Sequence, residues 1–463
     1  MNTYHDRLSK AAPISFNELR LPFVNTSFST DLKTYFVLWP LWWLLGIEQL
    51  LPLFFLGWAS IRTLIQTNGK VRVNYTALFA LALMLWWFVP IFWVDPVQLD
   101  VYIRECTIAI SQFLILLLCW NHLRDRQSWW RVVQGVEILA FYVALGCLLF
   151  VFAIWQQKLY SLIGYLLPAS LSSTSAFFES ISIRTFGTLH SGRLGLFPYR
   201  VSSFALTPAD LATLSVILIP FMAWRTYLSE GWLRYGKLLT LMGLFLCFAF
   251  AEVRMAYIAI AAGFALFIAL YLGLHRPQNR FLIAALVALN IIFLSIGGYI
   301  LYQAMIQFFQ TAFVELRPGS FAVRLYIYRQ TFALLPEHFI AGWGTSVRIE
   351  EFRSVYSAGT HSGYLAMLFQ HGVVGLLLYL GLWGSIWRVI VRKIRIAKKS
   401  STWQSFWLMA AVALFAFNIR EITATWLWDQ TVTMTLWTLW ALILTAPLLQ
   451  SNEQIESELN KDR

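Results

Sequence analysis

Residues 34–62 read T-Y-F-V-L-W-P-L-W-W-L-L-G-I-E-Q-L-L-P-L-F-F-L-G-W-A-S-I-R. The run is apolar but interrupted by Gly46, Glu48, Gln49 and Pro52. A membrane-crossing helix takes about twenty residues, so this run is too long for one span and short for two. We read it as a tight hairpin of two short helices, with Glu48 at the outer turn. This reading sets the direction of every element that follows it.

Composition sets the class. The chain of 463 residues is 59% hydrophobic and 13% charged, with a mean hydropathy of +0.63. A water-soluble fold cannot hide that much apolar surface, so the chain is an all-α polytopic membrane protein. Its 22 Trp and 19 Tyr suit aromatic belts at the two interfaces. Cys106, Cys119, Cys147 and Cys247 all fall in apolar segments and read as packing residues, neither a disulfide framework nor a metal site. The first thirty residues lack the basic-then-apolar pattern of a signal peptide, so the first membrane helix is expected to stay in the protein.

Counting the hairpin as two, spans follow at about 73–94, 101–121, 131–155, 206–226, 236–252, 254–273, 280–304, 363–388, 403–418 and 429–448, about twelve in all. The expected organisation is a cytoplasmic tail at 1–33 and a single transmembrane domain at 34–448. That domain includes outer loops 156–205 and 305–362, the second a large helical periplasmic loop between the spans near 280–304 and 363–388. A cytoplasmic tail follows at 449–463. No internal repeat and no inverted pair of broken helices is visible.

Orientation comes from the basic residues. With the N-terminus inside, the inner loops carry Arg62, Lys70, Arg72, Arg124, Arg126, Arg131, Arg225, Arg234, Lys237, Arg276 and Arg280, then the run from Arg388 to Lys399. The short outer loop 95–100 holds Asp95 and Asp100 and no basic residue. A single span at 34–62 would reverse this, which favours the hairpin. The net charge of +12 is thus explained by inner loops rather than by nucleic acid. On the outer side Lys158 is the one lysine beside Arg104, Arg184, Arg193, Arg200, Arg254, Arg317, Arg324, Arg329, Arg348, Arg353 and Arg420. Guanidinium forks bind phosphate oxygens bidentately and stay charged near a low-dielectric wall, so this bias points to an anion site. The plain alternative is that arginine simply suits membrane-surface helices.

Three positions stand out individually. Arg254 sits between two apolar runs at their outer ends, where an ionisable residue usually means a partner or a site. Glu252 is the plain partner, yet residues i and i+2 do not share a helix face. Arg200 precedes Thr207, Pro208 and Asp210, which together read as a helix start: a cap, a proline at the first position and an acid in the first turn. His361 ends the outer loop just before a span, where an imidazole can take a proton at neutral pH. A structural hydrogen-bonding role is the alternative for it. No His/Asp/Glu cluster has metal spacing. His338 is a weaker candidate, and His371, about 15 Å into its helix, reads as a packing residue.

The segment 320–375 gathers these features. It reads S-F-A-V-R-L-Y-I-Y-R-Q-T-F-A-L-L-P-E-H-F-I-A-G-W-G and, after a variable piece, T-H-S-G-Y-L-A-M-L-F-Q-H-G-V-V-G. Here the chain resembles the O-antigen ligase and O-antigen polymerase superfamily of bacterial envelope glycosyltransferases. An arginine after a membrane span is matched by Glu252-Val253-Arg254. An arginine opening an outer helix before a G-x-G turn is matched by Arg324 and Ala341-Gly342-Trp343-Gly344. An H-N-x-Y-L motif followed by a G-x-x-G is matched by His361-Ser362-Gly363-Tyr364-Leu365 and Gln370-His371-Gly372-Val373-Val374-Gly375. Phe204 to Asp210 resembles the family's f-x-N-P-N segment. The match covers about residues 196–380. Serine stands here where the family has asparagine after the histidine, glutamine where it has an acid, and Phe339 where it often has proline.

The resemblance implies a glycan carried on a polyprenyl diphosphate at the outer face of the bacterial inner membrane. It implies transfer to an acceptor hydroxyl of a lipid or sugar, independent of metal and of any cofactor. With that chemistry, Arg200, Arg254 and Arg324 are assigned to the diphosphate, whose departing charge needs fixed cations. Arg254, Arg324 and His361 form the expected catalytic set. His361 is placed at the acceptor hydroxyl, as base or hydrogen-bond acceptor, and attack opposite the leaving group would invert the anomeric centre. Ligase and polymerase differ only in acceptor and stay open. A transporter or flippase for an anionic solute or lipid is the competing class, since about twelve spans also suit a transporter. A structural envelope subunit leaves the arginine bias unexplained.

Overall fold

The computed structural model describes residues 27–152, 154, 158–168, 176–189, 199–275, 318–349, 357–397, 401–422 and 429–459. The run at 34–62 folds as a hairpin. Helices α1 (Ser27–Val37) and α2 (Trp39–Leu45) lead to Gly46, which closes α2 in the left-handed region at φ 85°. Residues 46–50 turn the chain and α3 (Leu51–Gln66) returns beside α1. Arg62 near the end of α3 pairs with Asp31 in α1, and Phe55 stacks on Phe28 and Tyr35, so the arms are antiparallel. Pro40 and Pro52 sit in the first turns of α2 and α3, where a missing N–H costs nothing. Helix α1 starts before residue 34, inside the expected tail, because Phe28 and Leu32 are fully buried in the core.

The chain continues as α4 (Tyr75–Trp87), α5 (Leu99–His122) and α6 (Arg126–Val151). Asn74 and Asp125 cap α4 and α6 by accepting main-chain N–H bonds at 2.7 and 2.8 Å. A loop region then carries β1 (Leu159–Tyr160), α7 (Leu162–Leu166), α8 (Ala176–Ser182), β2 (Ile183–Arg184), β3 (Gly187–Leu189) and β4 (Tyr199–Val201). Strands β1 and β2 pair antiparallel, as do β3 and β4. Helices α9 (Pro208–Tyr227), α10 (Gly231–Phe250) and α11 (Arg254–His275) follow. After residue 317 come α12 (Pro318–Leu334), β5 (Val347–Arg348), β6 (Ser357–Ala358), α13 (Gly363–Ile396), α14 (Ser401–Glu421) and α15 (Gln430–Leu459).

Nine helices among the described residues are long and apolar enough to cross a membrane. They fall on nine of the expected spans and establish a multi-pass, all-α membrane fold. The hairpin arms are shorter, α3 having 16 residues. The expected span at 280–304 lies outside the described residues, so of the expected twelve, nine are seen as full-length crossings and the hairpin's two arms as shorter helices.

The turn at Glu48 marks one end of the bundle, here called the upper end. The short connections at 67–74, 123–125 and 228–230 lie at the lower end. The described residues of the connections 88–98, 158–168, 176–189, 199–207, 251–253, 335–349 and 357–362, with 422 and 429, lie at the upper end. The lower end is tied by Glu137 of α6, which pairs with Arg225 of α9 and, at 2.9 Å, with Lys237 of α10. Helices α9 and α15 are almost wholly buried, whereas α10 and α11 turn most of their surface outward. Three of the buried threonines of α15 satisfy their hydroxyls locally: Thr433, Thr435 and Thr445 donate to carbonyls one turn back at 2.7–3.0 Å.

Helix α13 is broken near its upper end. Gly372 has φ 67° and ψ −174°, so 363–371 forms a separate half-helix above the span. The backbone groups freed by the break are taken by the turn at 339–344. Trp343 N–H donates to Phe369 O at 2.9 Å, Gly344 N–H to Gln370 O at 2.7 Å, and Val373 N–H to Phe339 O at 2.9 Å. The Trp86 indole N–H donates to His371 O at 2.8 Å. The A-G-W-G and Q-H-G-V-V-G motifs are therefore two halves of one main-chain junction. His371 packs there with its ring 4.0 Å from Trp87, fully buried, as its depth in the helix suggested. His338 is also packed, stacked on Trp93 and edge-on to Trp343. A small core of Ile327, Leu335, Ile349, Ala358 and Phe369 holds α12 over this junction.

Candidate active site

Arg324 and Tyr328 lie one turn apart on α12, on one face. That face meets His361. The Tyr328 hydroxyl donates to His361 O at 3.0 Å, and the Arg324 guanidinium lies close enough to act electrostatically on both rings. His361 sits in the left-handed region at φ 65°, where it turns the chain into α13. Ser362 then caps that helix, its hydroxyl accepting from Leu365 N–H at 3.3 Å. Burial, then the Arg324 charge, push the His361 imidazole down to about 4, so it is neutral at physiological pH. Arg324 itself is half-buried, and no carboxylate forms an ion pair with it among the described residues. A guanidinium facing a neutral imidazole and a phenol is poised to receive an anion.

Arg200 lies in β4 and reaches the turn between α10 and α11. Its Nη2 and Nε donate to Ala251 O at 3.0 and 3.2 Å. That turn carries Glu252, at φ 50°, and leads straight into α11, whose first residue is Arg254. Tyr257, at the start of α11, lies in the field of both Glu252 and Arg200. The side chain of Arg254 lies outside the described ones, but its backbone position is clear. Helices α11 and α14 pack antiparallel, with a methyl group placed on Gly263 lying 3.2 Å from Ala416 Cβ and Val412 Cγ1. From that crossing Arg254 lies about 13 Å up one helix and Glu421 about 10 Å up the other. Arg254 therefore opens α11 at the level where α14 ends.

Arg420, at the end of α14, is 2% exposed. Its Nη2 donates to Ala209 O in the first turn of α9 at 3.3 Å, and Glu421, Asp210 and Arg324 surround it electrostatically. Thr207 caps α9 as its sequence suggested, and its hydroxyl donates to Asp210 Oδ2 at 2.6 Å. Asp429 stands beside Asp210, accepting from Leu206 N–H at 3.1 Å and Thr431 N–H at 2.7 Å. Tyr379 donates to Glu421 Oε2 at 3.3 Å. The upper end thus holds two groups, Arg324 with His361 on α12 and the α13 start, and Arg200 beside the turn into Arg254. Arg420 stands within the bundle between α9 and Arg324.

The arginine bias divides on inspection. Arg184 is not a ligand-facing cation: it forms a buried ion pair with Glu48 at 2.6 Å and lies over the Trp43 ring. Arg329 and Arg348 are exposed, whereas Arg193, Arg317 and Arg353 lie outside the described residues. Arg420 and Tyr328 were not singled out from sequence. The one signal for Arg420 was an Arg-Glu pair ending an apolar run; Tyr328 had only its one-turn spacing from Arg324. No group of three or more potential metal ligands occurs among the described residues.

The fold and this end of it define a multi-pass membrane protein with an arginine- and histidine-bearing site above its spans. Residues 239–380 match the family model described as O-antigen ligase, which supports membership of the O-antigen ligase superfamily. The matched stretch holds Arg254, Arg324 and His361, while Arg200 and Arg420 lie outside it. No curated protein matches the chain.

Proposed function

We propose that the chain is an O-antigen ligase-like glycosyltransferase. It moves a glycan from a polyprenyl diphosphate carrier to an acceptor hydroxyl at the periplasmic face of the inner membrane. The observation that carries this reading is Arg324, unpaired with any described carboxylate, beside a neutral His361 at the end of a membrane bundle. The O-antigen ligase match over the same residues supports it.

In this reading Arg324, Arg254 and Arg200 hold the diphosphate. Their charge is permanent and is aimed where negative charge grows as the carrier leaves, so no proton or metal is needed at that oxygen. The neutral imidazole of His361 accepts the proton, or the hydrogen bond, of the acceptor hydroxyl as it attacks the anomeric carbon from the opposite face. That geometry inverts the centre. The spans hold the polyprenyl tail in the membrane plane.

A transporter or flippase is the weaker reading. Broken helices in transporters sit near the bilayer midplane and offer free backbone groups to the solute. Here the break at Gly372 lies at the upper end, and the 339–344 turn already takes the freed groups.

The test is transfer by purified protein in detergent with carrier-linked glycan and acceptor. Wild-type protein transfers glycan, Arg254→Ala and Arg324→Ala lose on the order of 10²-fold or more with folding intact, and EDTA has no effect. No transfer by wild-type protein refutes the enzyme. Inhibition by EDTA that divalent metal reverses refutes the metal-free step. A deletion strain separates the two acceptors: loss of glycan on the lipid with long carrier-linked chains retained means ligase, and loss of long chains everywhere means polymerase.

A further inference from the structure

The lower end of the bundle, opposite Arg324 and His361, holds a cavity of about 110 Å³. Five rings wall it: Trp129 and Trp130 in the first turns of α6, Trp224 near the end of α9, and Trp403 and Phe406 in the first turns of α14. They brace one another. Phe406 stands edge-on to Trp129, Trp224 and Trp403 at 5.2–5.8 Å, and Trp130 stacks on Trp224 at 5.9 Å. Tryptophans of an interfacial belt turn toward lipid, as Trp232 does at the same end with 89% exposure. Trp129, Trp224 and Trp403 instead turn inward, at 1%, 4% and 9%. The Trp129 N–H donates to Leu442 O at 3.1 Å, but the indole N–H of Trp224 is buried with no acceptor among the described residues. Such a donor is costly to bury unless a ligand or water accepts from it.

The surrounding charge decides the sign of the ligand. Arg126, itself exposed, lines the cavity, and no carboxylate is among the described residues that do. The N-termini of α6 and α14 add partial positive charge. The Arg225 guanidinium lies 4.5 Å from the Trp130 ring and 5.2 Å from the Trp224 ring, so it already takes the cation–π contact with both. A second cation is repelled there, whereas an anion on an apolar root is accepted. We propose that the cavity seats the phosphate of an anionic phospholipid from the leaflet at the lower end, with Arg126 and the Trp224 N–H on its oxygens and the aromatic rings against its glycerol. The lipid joins the ends of α6, α9 and α14. This site is separate from Arg324 and His361 and does not depend on the reading given to them.

The test uses the full-length protein in detergent, stripped of lipid and titrated with phosphatidylglycerol, with diacylglycerol of the same chains, with inorganic phosphate and with tetramethylammonium. Native mass spectrometry counts bound lipid, and the melting temperature reports linkage to folding. Phosphatidylglycerol saturates a site and raises the melting temperature. Diacylglycerol binds at least tenfold more weakly, and neither inorganic phosphate nor tetramethylammonium raises the melting temperature. Trp224→Phe keeps the ring and deletes the N–H, and Arg126→Gln deletes the charge; each weakens phosphatidylglycerol about tenfold. Trp232→Phe, on the outward-facing belt, leaves its affinity unchanged. If Trp224→Phe does not fold, Arg126→Gln, at an exposed position, decides alone. Diacylglycerol binding as tightly as phosphatidylglycerol, or unchanged affinity in folded Arg126→Gln and Trp224→Phe, overturns the proposal. So does stabilisation by inorganic phosphate equal to that by the lipid, which would make the ligand a soluble anion, or stabilisation by tetramethylammonium, which would make the rings a cage for a cation.

Discussion

The Tyr328 hydroxyl donates to the main-chain oxygen of His361 at 3.0 Å, and this bond sets where the imidazole sits relative to Arg324 one turn back on the same helix. It joins α12 to the first residue of the turn into α13, two elements that otherwise meet through a small apolar core. Tyr328→Phe keeps the ring and its packing and deletes only the bond, worth about 1 kcal/mol. If the bond aligns His361 for reaction, transfer falls roughly fivefold while the melting temperature barely moves. Equal rates for the two proteins would mean that the bond is structural only.

His361 titrates low because burial and Arg324 both disfavour its charged form. The neutral base is present from about pH 4 upward, so the transfer rate shows no inflection near 6.5 and declines only toward pH 4. Stability follows the same group with a definite sign. Between about 4 and 6.5 the unfolded chain binds a proton that the folded chain does not, so stability falls as pH drops through that window and is unaffected above it. Arg324→Ala removes one of the two causes and moves the His361 midpoint up, part of the way to 6.5. Histidine-labelled NMR of both proteins reads this directly.

The spans and the hairpin were legible because apolar length and its interruptions are one-dimensional properties. Glu48 in the hairpin turn, the capping of α9 by Thr207 and the burial of His371 all follow from local patterns. The partners of the arginines were not legible, since a guanidinium in a sequence gives no sign of what it faces. Arg184 counted toward an anion site until its pairing with Glu48, 136 residues away, removed it. Arg200 spends donors on Ala251 O, 51 residues away. The glycines of the A-G-W-G and Q-H-G-V-V-G motifs could be quoted from sequence, but their reason is a contact between two distant backbones.

The Glu48–Arg184 pair clamps the hairpin turn under the strands at the upper end, with Trp43 stacked on Phe186 beside it. Both side chains are nearly inaccessible, at 1% and 3%. Losing one partner strands a charge in the interior, which costs about 3–5 kcal/mol. Glu48→Gln or Arg184→Met should therefore lower the melting temperature sharply. Replacing both together should recover most of the loss, because no uncompensated charge remains. A double variant as unstable as either single one would show that packing, rather than charge, holds the clamp.

The junction between the two glycine motifs makes the sharpest demand on residue type. A methyl group at Gly372 would lie 2.1 Å from Ile340 O, on a backbone already at φ 67°, and one at Gly342 would lie 2.3 Å from Gln370 O at φ 79°. Both clashes are with backbone, so no side-chain rotation relieves them, and the left-handed conformation adds its own strain for an L side chain. Either Gly→Ala change must push the 339–344 turn off the broken helix, breaking the bonds from Trp343 and Gly344 N–H. Since α12 rests on that junction, Arg324 and His361 would separate. The expected outcome is a protein that still inserts its spans but melts earlier and transfers at least tenfold more slowly. Gly384→Ala is the control: the same helix, no atom within 4 Å of the added methyl, and wild-type behaviour expected. Full activity in Gly372→Ala would mean that the half-helix and the turn do not need each other.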